Sequence, residues 1–212
     1  MKKIDTSRIN NWPEGVLLAV SEIHNDVSPE ILSSREMEEY DSFANSRRKN
    51  EYLIGRYLFQ FLLKDWNINP KEVELFKEEK GKPYALHGGE LINVSFTHSP
   101  DLVMCAISRE RKIGIDTESS KRSIDQRVVK RILNEKEWEV IGHEDPLKLW
   151  TIKEAALKCS GTGLQTSLRN LSIYKKEKNR FSIRFNDDIN FEICSFKQSG
   201  HQIALAYQSI IS

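Results

Sequence analysis

The chain has 212 residues, enough to bury one large core or two small ones, and its 32 basic and 31 acidic side chains leave a formal net charge of +1. That balance does not describe a nucleic-acid-binding surface, and the cluster Arg47-Arg48-Lys49 reads as a solvated helix start. Cys105, Cys159 and Cys194 are widely spaced and form neither a disulfide frame nor a zinc site, and no apolar run approaches membrane-spanning length, so a cytoplasmic chain without nucleic-acid or membrane partners is expected.

In chain order, an apolar strand is predicted at 16–20, then a short Glu-rich helix at 31–38 and a longer amphipathic helix at 50–65. In the longer helix Leu53, Tyr57 and Phe61, with Ile54, Leu58 and Leu62, make a wide apolar stripe that belongs to a core. Strands at 73–76, 92–96 and 102–108 follow, with turn signals at Gly81-Lys82-Pro83, His87-Gly88-Gly89 and Ser99-Pro100-Asp101. A strand at 112–115 then leads into Asp116-Thr117-Glu118, before a short helix at 132–139 and a long one at 146–159. The chain closes with strands at 171–175, 181–185, 191–196 and 202–207, and a turn at Asn186-Asp187-Asp188.

The second run repeats the first. Segment 31–38 recurs as 132–139, 52–58 lies near the counterpart of 151–157, 75–80 recurs as 173–178, and 103–107 as 203–207. The offset stays near about a hundred residues, which argues for two copies of one unit. The expected fold class is therefore α+β, with two similar subdomains, 1–109 and 110–212, related by a pseudo-twofold axis. Each is a mainly antiparallel sheet packed with helices. The active site is expected in the cleft between them, and a fused pair has no need to oligomerise, so a monomer is expected.

The copies differ in their acids. Asp116 and Glu118 fall where the first copy has Ser21 and Ile23, and Glu154 where it has Gly55 or Arg56. Side chains two apart on a strand share a face, so Asp116 and Glu118 point the same way. Glu154 and Lys158 are four apart in a helix and also share a face. An acidic strand end and a Lys-Glu helix pair are most often solvated surface. Together, though, the three carboxylates offer hard oxygen donors of the kind that hold Mg²⁺ beside substrate phosphate. The nearby lysines are then expected to neutralise phosphate rather than pair with the acids.

Five blocks carry a family resemblance: Arg48-Lys49-Asn50-Glu51-Tyr52-Leu53-Ile54-Gly55-Arg56, Gly81-Lys82-Pro83-Tyr84, Asn93-Val94-Ser95-Phe96-Thr97-His98-Ser99, Gly114-Ile115-Asp116-Thr117-Glu118, and Trp150-Thr151-Ile152-Lys153-Glu154-Ala155-Ala156-Leu157-Lys158. In this order, over residues 48–158, the chain resembles the 4′-phosphopantetheinyl transferases of the larger, surfactin-synthetase type, which look like fused dimers of a smaller trimeric type. Thr117 stands where the family has an aliphatic residue, and Phe96-Thr97 lengthens its Asn-x-Ser-His form.

The resemblance implies transfer of the phosphopantetheine arm of coenzyme A to a serine of an apo acyl or peptidyl carrier protein, with release of 3′,5′-ADP. It implies Mg²⁺ on Asp116, Glu118 and Glu154, with Glu154 as base or as ligand only. Lys158 would act in catalysis and on phosphate, Thr97 and His98 at the coenzyme A phosphates, Lys82 at the nucleotide, and Arg48 (or its neighbour Arg47) at the 3′-phosphate. A Mg-dependent phosphohydrolase, or a non-catalytic carrier-protein or nucleotide binder, are the alternatives.

Overall fold

Alternating apolar positions become strands and the two long apolar stripes become helices, in a computed structural model that describes residues 1–24, 27–163, 166–185 and 189–208. The first half contains β1 (Lys2–Lys3), β2 (Val16–Glu22), α1 (Ser34–Ser42), α2 (Ser46–Asp65), β3 (Val73–Lys77), β4 (Pro83–His87), β5 (Glu90–His98) and β6 (Leu102–Ser108). The second contains β7 (Ile113–Ser119), α3 (Gln126–Ile132), α4 (Glu135–Ile141), α5 (Pro146–Ser160), β8 (Leu171–Glu177), β9 (Arg180–Phe185), β10 (Ile189–Gln198) and β11 (His201–Gln208). The expected turn at 186–188 lies outside the described residues.

Two antiparallel sheets form, ordered β1-β2-β6-β5-β4-β3 and β7-β11-β10-β9-β8. Leaving aside β1, the two orders are the same: each opening strand pairs with the last strand of its half, and the intervening strands run back in sequence order. The α+β class with two similar subdomains is thus what the strands build.

The faces of β6 explain the layering. Leu102, Met104 and Ala106 pack with Leu18 and Val20 of β2 against Ile113 and Ile115 of β7 and Ile203 and Leu205 of β11. On the other face Val103, Cys105 and Ile107 pack under Ile54, Leu58 and Leu62 of α2. The two sheets therefore meet through their inner faces while α2 covers the first, and α5 covers the second with Leu149, Ile152, Ala155 and Ala156. A strand buried on both faces reads as a continuous apolar run, which is why β6 was legible without alternation.

Three elements depart from the sequence expectation. β4 was read only as the interval between two turns, because it is short and opens on Pro83. The helix expected at 132–139 forms as α4, set about three residues later under Asn134, whose capping box with Glu137 satisfies the first turn, and α3 before it was not expected. The strand expected at 112–115 continues to Ser119, so Asp116 and Glu118 lie within a strand rather than after one.

Candidate active site

Two helices and two strands bring the candidate residues together. Asn45 caps α2 by accepting from the backbone N–H groups of Arg47 and Arg48, which places both arginines in the first turn. Arg47 turns away, donating to the Pro100 carbonyl at 2.8 Å, whereas Arg48 lines a cleft of about 400 Å³. One turn on, the buried carboxylate of Glu51 accepts from Arg47 at 2.9 Å and from Arg48 at 3.5 Å, and lies 3.2 Å from His98 Nε2. Partial burial holds the His98 imidazole below its ordinary value despite the pull of Glu51.

β7 and α5 supply the acids. Gly114 lets α5 lie directly on β7: a Cβ there would stand 2.2 Å from the Ala155 carbonyl oxygen and 2.3 Å from the Cys159 nitrogen. Two residues on, on the same face, the Asp116 carboxylate is therefore beside the last turns of α5. Its Oδ1 accepts from Lys158 Nζ at 2.8 Å and from the Thr97 hydroxyl at 3.3 Å, while its Oδ2 is buried without a partner. Burial raises the Asp116 pKa, against the lowering pull of Lys158. Glu154 is raised in the same direction, first by burial and then by the charge of Asp116.

Thr97 and its neighbours belong to β5, which runs alongside β7. Thr97 Oγ1 accepts the Thr117 backbone N–H at 3.2 Å and Ser95 Oγ accepts that of Ile115 at 3.0 Å. Strand alternation thus turns Ser95 and Thr97 toward β7.

Arg48, Lys82, Thr97, His98, Glu154 and Lys158 all line the one cleft, which draws on residues from both sides of position 110; Asp116 and Glu118 lie off its wall. One expectation is corrected. Lys158 was expected to stay off the acids, but it is the ion-pair partner of Asp116, because a buried carboxylate requires a nearby cation. Glu118 pairs with Arg122, and among the described residues no three acidic, His or Cys side chains stand together as a cluster that could hold a metal ion.

Lys82 was expected to reach the nucleotide. Its buried ammonium lines the cleft and donates to the Cys159 carbonyl at 2.5 Å, at the end of α5 where orphan carbonyls favour a cation. Burial pulls the Lys82 pKa down.

Sequence reasoning missed Arg56. It is buried, pairs with Glu36 at 2.8 Å, and lies 4.0 Å over the Tyr52 ring and 5.0 Å from the Phe96 ring. The signal was present: Arg48, Glu51, Tyr52, Gly55 and Arg56 follow the three- and four-residue spacing of one helix face, and all line the cleft. Lys153 was also misread by position. A Lys-Glu pair suggests an exposed face, yet Lys153 is fully buried and donates to Ile132, Leu168 and Leu171 carbonyls and to Glu137.

Residues 112–207 match the family model described as the 4′-phosphopantetheinyl transferase superfamily. The 4′-phosphopantetheinyl transferase HetI of Nostoc sp. is 31% identical over 146 residues, 63% of this chain and 61% of that protein. The 4′-phosphopantetheinyl transferase gsp of Aneurinibacillus migulanus is 31% identical over 134 residues, 60% of this chain and 53% of that protein. The chain thus spans less than two thirds of the length of either relative. A holo-[acyl-carrier-protein] synthase of Staphylococcus haemolyticus is 26% identical over 89 residues, 39% of this chain and 75% of that protein.

Proposed function

We propose that this chain, which through residues 112–207 belongs to the 4′-phosphopantetheinyl transferase superfamily, transfers the 4′-phosphopantetheine group of coenzyme A to a serine of an acyl or peptidyl carrier protein. The observation that carries the reading is convergence: Glu154 and Lys158 from α5 meet Thr97 and His98 from β5 and Arg48 from α2 on one cleft wall. The relatives' names, which specify phosphopantetheinyl transfer and holo-carrier synthesis, support the same reaction. We place the site between two repeats, 1–109 and 110–212, acting as a monomer in the cytoplasm.

The donor set fits a hard cation. Asp116 Oδ2 is a buried carboxylate oxygen without a partner, and the charges of Asp116 and Glu118 raise the proton affinity of Glu154, a repulsion that a cation relieves. Asp116, Glu118 and Glu154 would hold Mg²⁺, with Glu118 exchanging Arg122 for the ion. Bound there, the ion supplies charge neutralisation at the pyrophosphate.

The chain's own residues do the rest. Arg48 and His98 orient the phosphates of coenzyme A, and Lys158 neutralises charge on the transferred and leaving oxygens. Glu154, its proton affinity raised by burial, takes the proton of the carrier serine hydroxyl. That oxygen bonds to the phosphorus nearest pantetheine as the bond to 3′,5′-ADP breaks, so the leaving group departs with its electron pair.

The test is incubation of the chain with coenzyme A, Mg²⁺ and apo carrier proteins, read by intact mass. A gain of one phosphopantetheine group on a carrier is expected. Release of an ADP-type product with unmodified carrier would replace transfer with hydrolysis.

A further inference from the structure

α1 has no fully buried residue, and much of what ties it to the rest of the chain is charge. Glu36 accepts from Arg56 Nε at 2.8 Å. Glu39, one turn on, pairs with Lys77 and accepts from the Tyr52 hydroxyl at 3.3 Å. Arg56, Lys77, Tyr52 and Glu39 all line the cleft, and Arg56 is fixed there by the rings of Tyr52 and Phe96. Two of the cleft's cations therefore already carry carboxylates supplied by a single helix.

Guanidinium and ammonium groups bind phosphate with the same geometry and charge that bind carboxylate. A carboxylate already in place competes with an incoming phosphate and repels it. We propose that Glu36 and Glu39 are specificity-determining residues: internal counter-anions that a ligand phosphate must displace from Arg56 and Lys77, so that α1 sets the affinity of the cleft for polyanions. Displacement is most accessible at Lys77, because it and Glu39 are both part-exposed and such pairs contribute little to stability, whereas the Glu36–Arg56 pair is mostly buried. This inference rests on reading the cleft as a coenzyme A site.

The variant that tests it removes charge while keeping an amide oxygen to accept from the buried Arg56. Glu36 also closes the capping box of α1, accepting from the Ser33 backbone N–H at 3.0 Å, and glutamine serves that position equally. Binding of coenzyme A and of inorganic pyrophosphate to the parent chain and to Glu36→Gln/Glu39→Gln is measured by calorimetry, with melting temperature as the control for folding. Glu39→Gln alone leaves the cap untouched and serves as the second variant.

Removing two carboxylates, one part-exposed and one mostly buried, should tighten coenzyme A binding by about three- to ten-fold. The gain should shrink as salt is raised, because the repulsion being removed is screened. Unchanged or weaker affinity in both variants overturns the proposal. Transfer to a carrier with unchanged affinity would leave the proposed reaction standing without this inference. Tightened binding with no transfer to any apo carrier would do the reverse.

Discussion

Thr97 and Asp116 meet across the seam between the two sheets: the Thr97 hydroxyl donates to Asp116 Oδ1 at 3.3 Å while accepting the backbone N–H of Thr117. One hydroxyl thus fixes both the strand that carries the acid and the acid itself. The second oxygen of that carboxylate is left facing no protein partner.

Asp116→Asn is therefore expected to abolish transfer while leaving the fold intact. The amide keeps the shape and can still accept from Thr97, but it no longer offers an anionic oxygen, and the loss should be on the order of a hundred-fold or more. Intact-mass assay of a carrier, with the melting temperature of the variant, checks it; near-parental activity with Mg²⁺ would remove Asp116 from the site.

Lys82→Met reads differently from the sequence expectation of a nucleotide contact. Because the ammonium ties the Gly81-Lys82-Pro83 turn to the Cys159 carbonyl, its removal should cost about 1–3 kcal/mol of stability. Coenzyme A and dephospho-coenzyme A should weaken equally. Urea unfolding and calorimetry with both ligands measure this, and a loss confined to coenzyme A would return Lys82 to the phosphate.

His98 sets a pH dependence. Its folded pKa lies below the ordinary 6.5, first because of burial. As pH falls below 6.5 the unfolded chain takes up a proton that the folded chain does not, so stability falls with falling pH until the folded value is reached. His98→Gln should lose this component. Comparison of urea midpoints at neutral and mildly acidic pH, with an NMR titration of the ring, tests it; a midpoint at or above 6.5 would contradict it.

Gly114→Ala should be among the most damaging single changes. The added methyl would meet helix backbone on two sides, and neither the Ala155 carbonyl nor the Cys159 nitrogen can rotate away. α5 must lift off β7, at a cost of about 3 kcal/mol or more. A melting temperature close to that of the parent would show that the helix can yield.

Periodicity made most of the fold legible, because apolar alternation and helical stripes are local. α2 and α5 ran within a few residues of their expected spans, and the strands of the second sheet came in order. Asp116, Glu118 and Glu154 were legible as a strand pair and a helix acid. Their partners were not, since Lys158 meets Asp116 across 42 positions and Lys82 meets Cys159 across 77. Lys153 illustrates the limit. Its neighbours in sequence suggest an exposed face, while its burial is decided by three carbonyls and Glu137 that only tertiary packing collects.

The seam between β5 and β7 has one more implication. β7 is an edge strand, and unsatisfied N–H groups on such an edge invite another strand to pair. Here Ser95 and Thr97 plug two of those donors with side-chain oxygens, so the sheets adjoin without merging into one ladder. The join needs no backbone register, because side-chain oxygens close it beside the apolar core that the two sheets share. Ser95→Ala would leave the buried Ile115 N–H without its acceptor, so the cost of opening this margin falls on the protein's own interior.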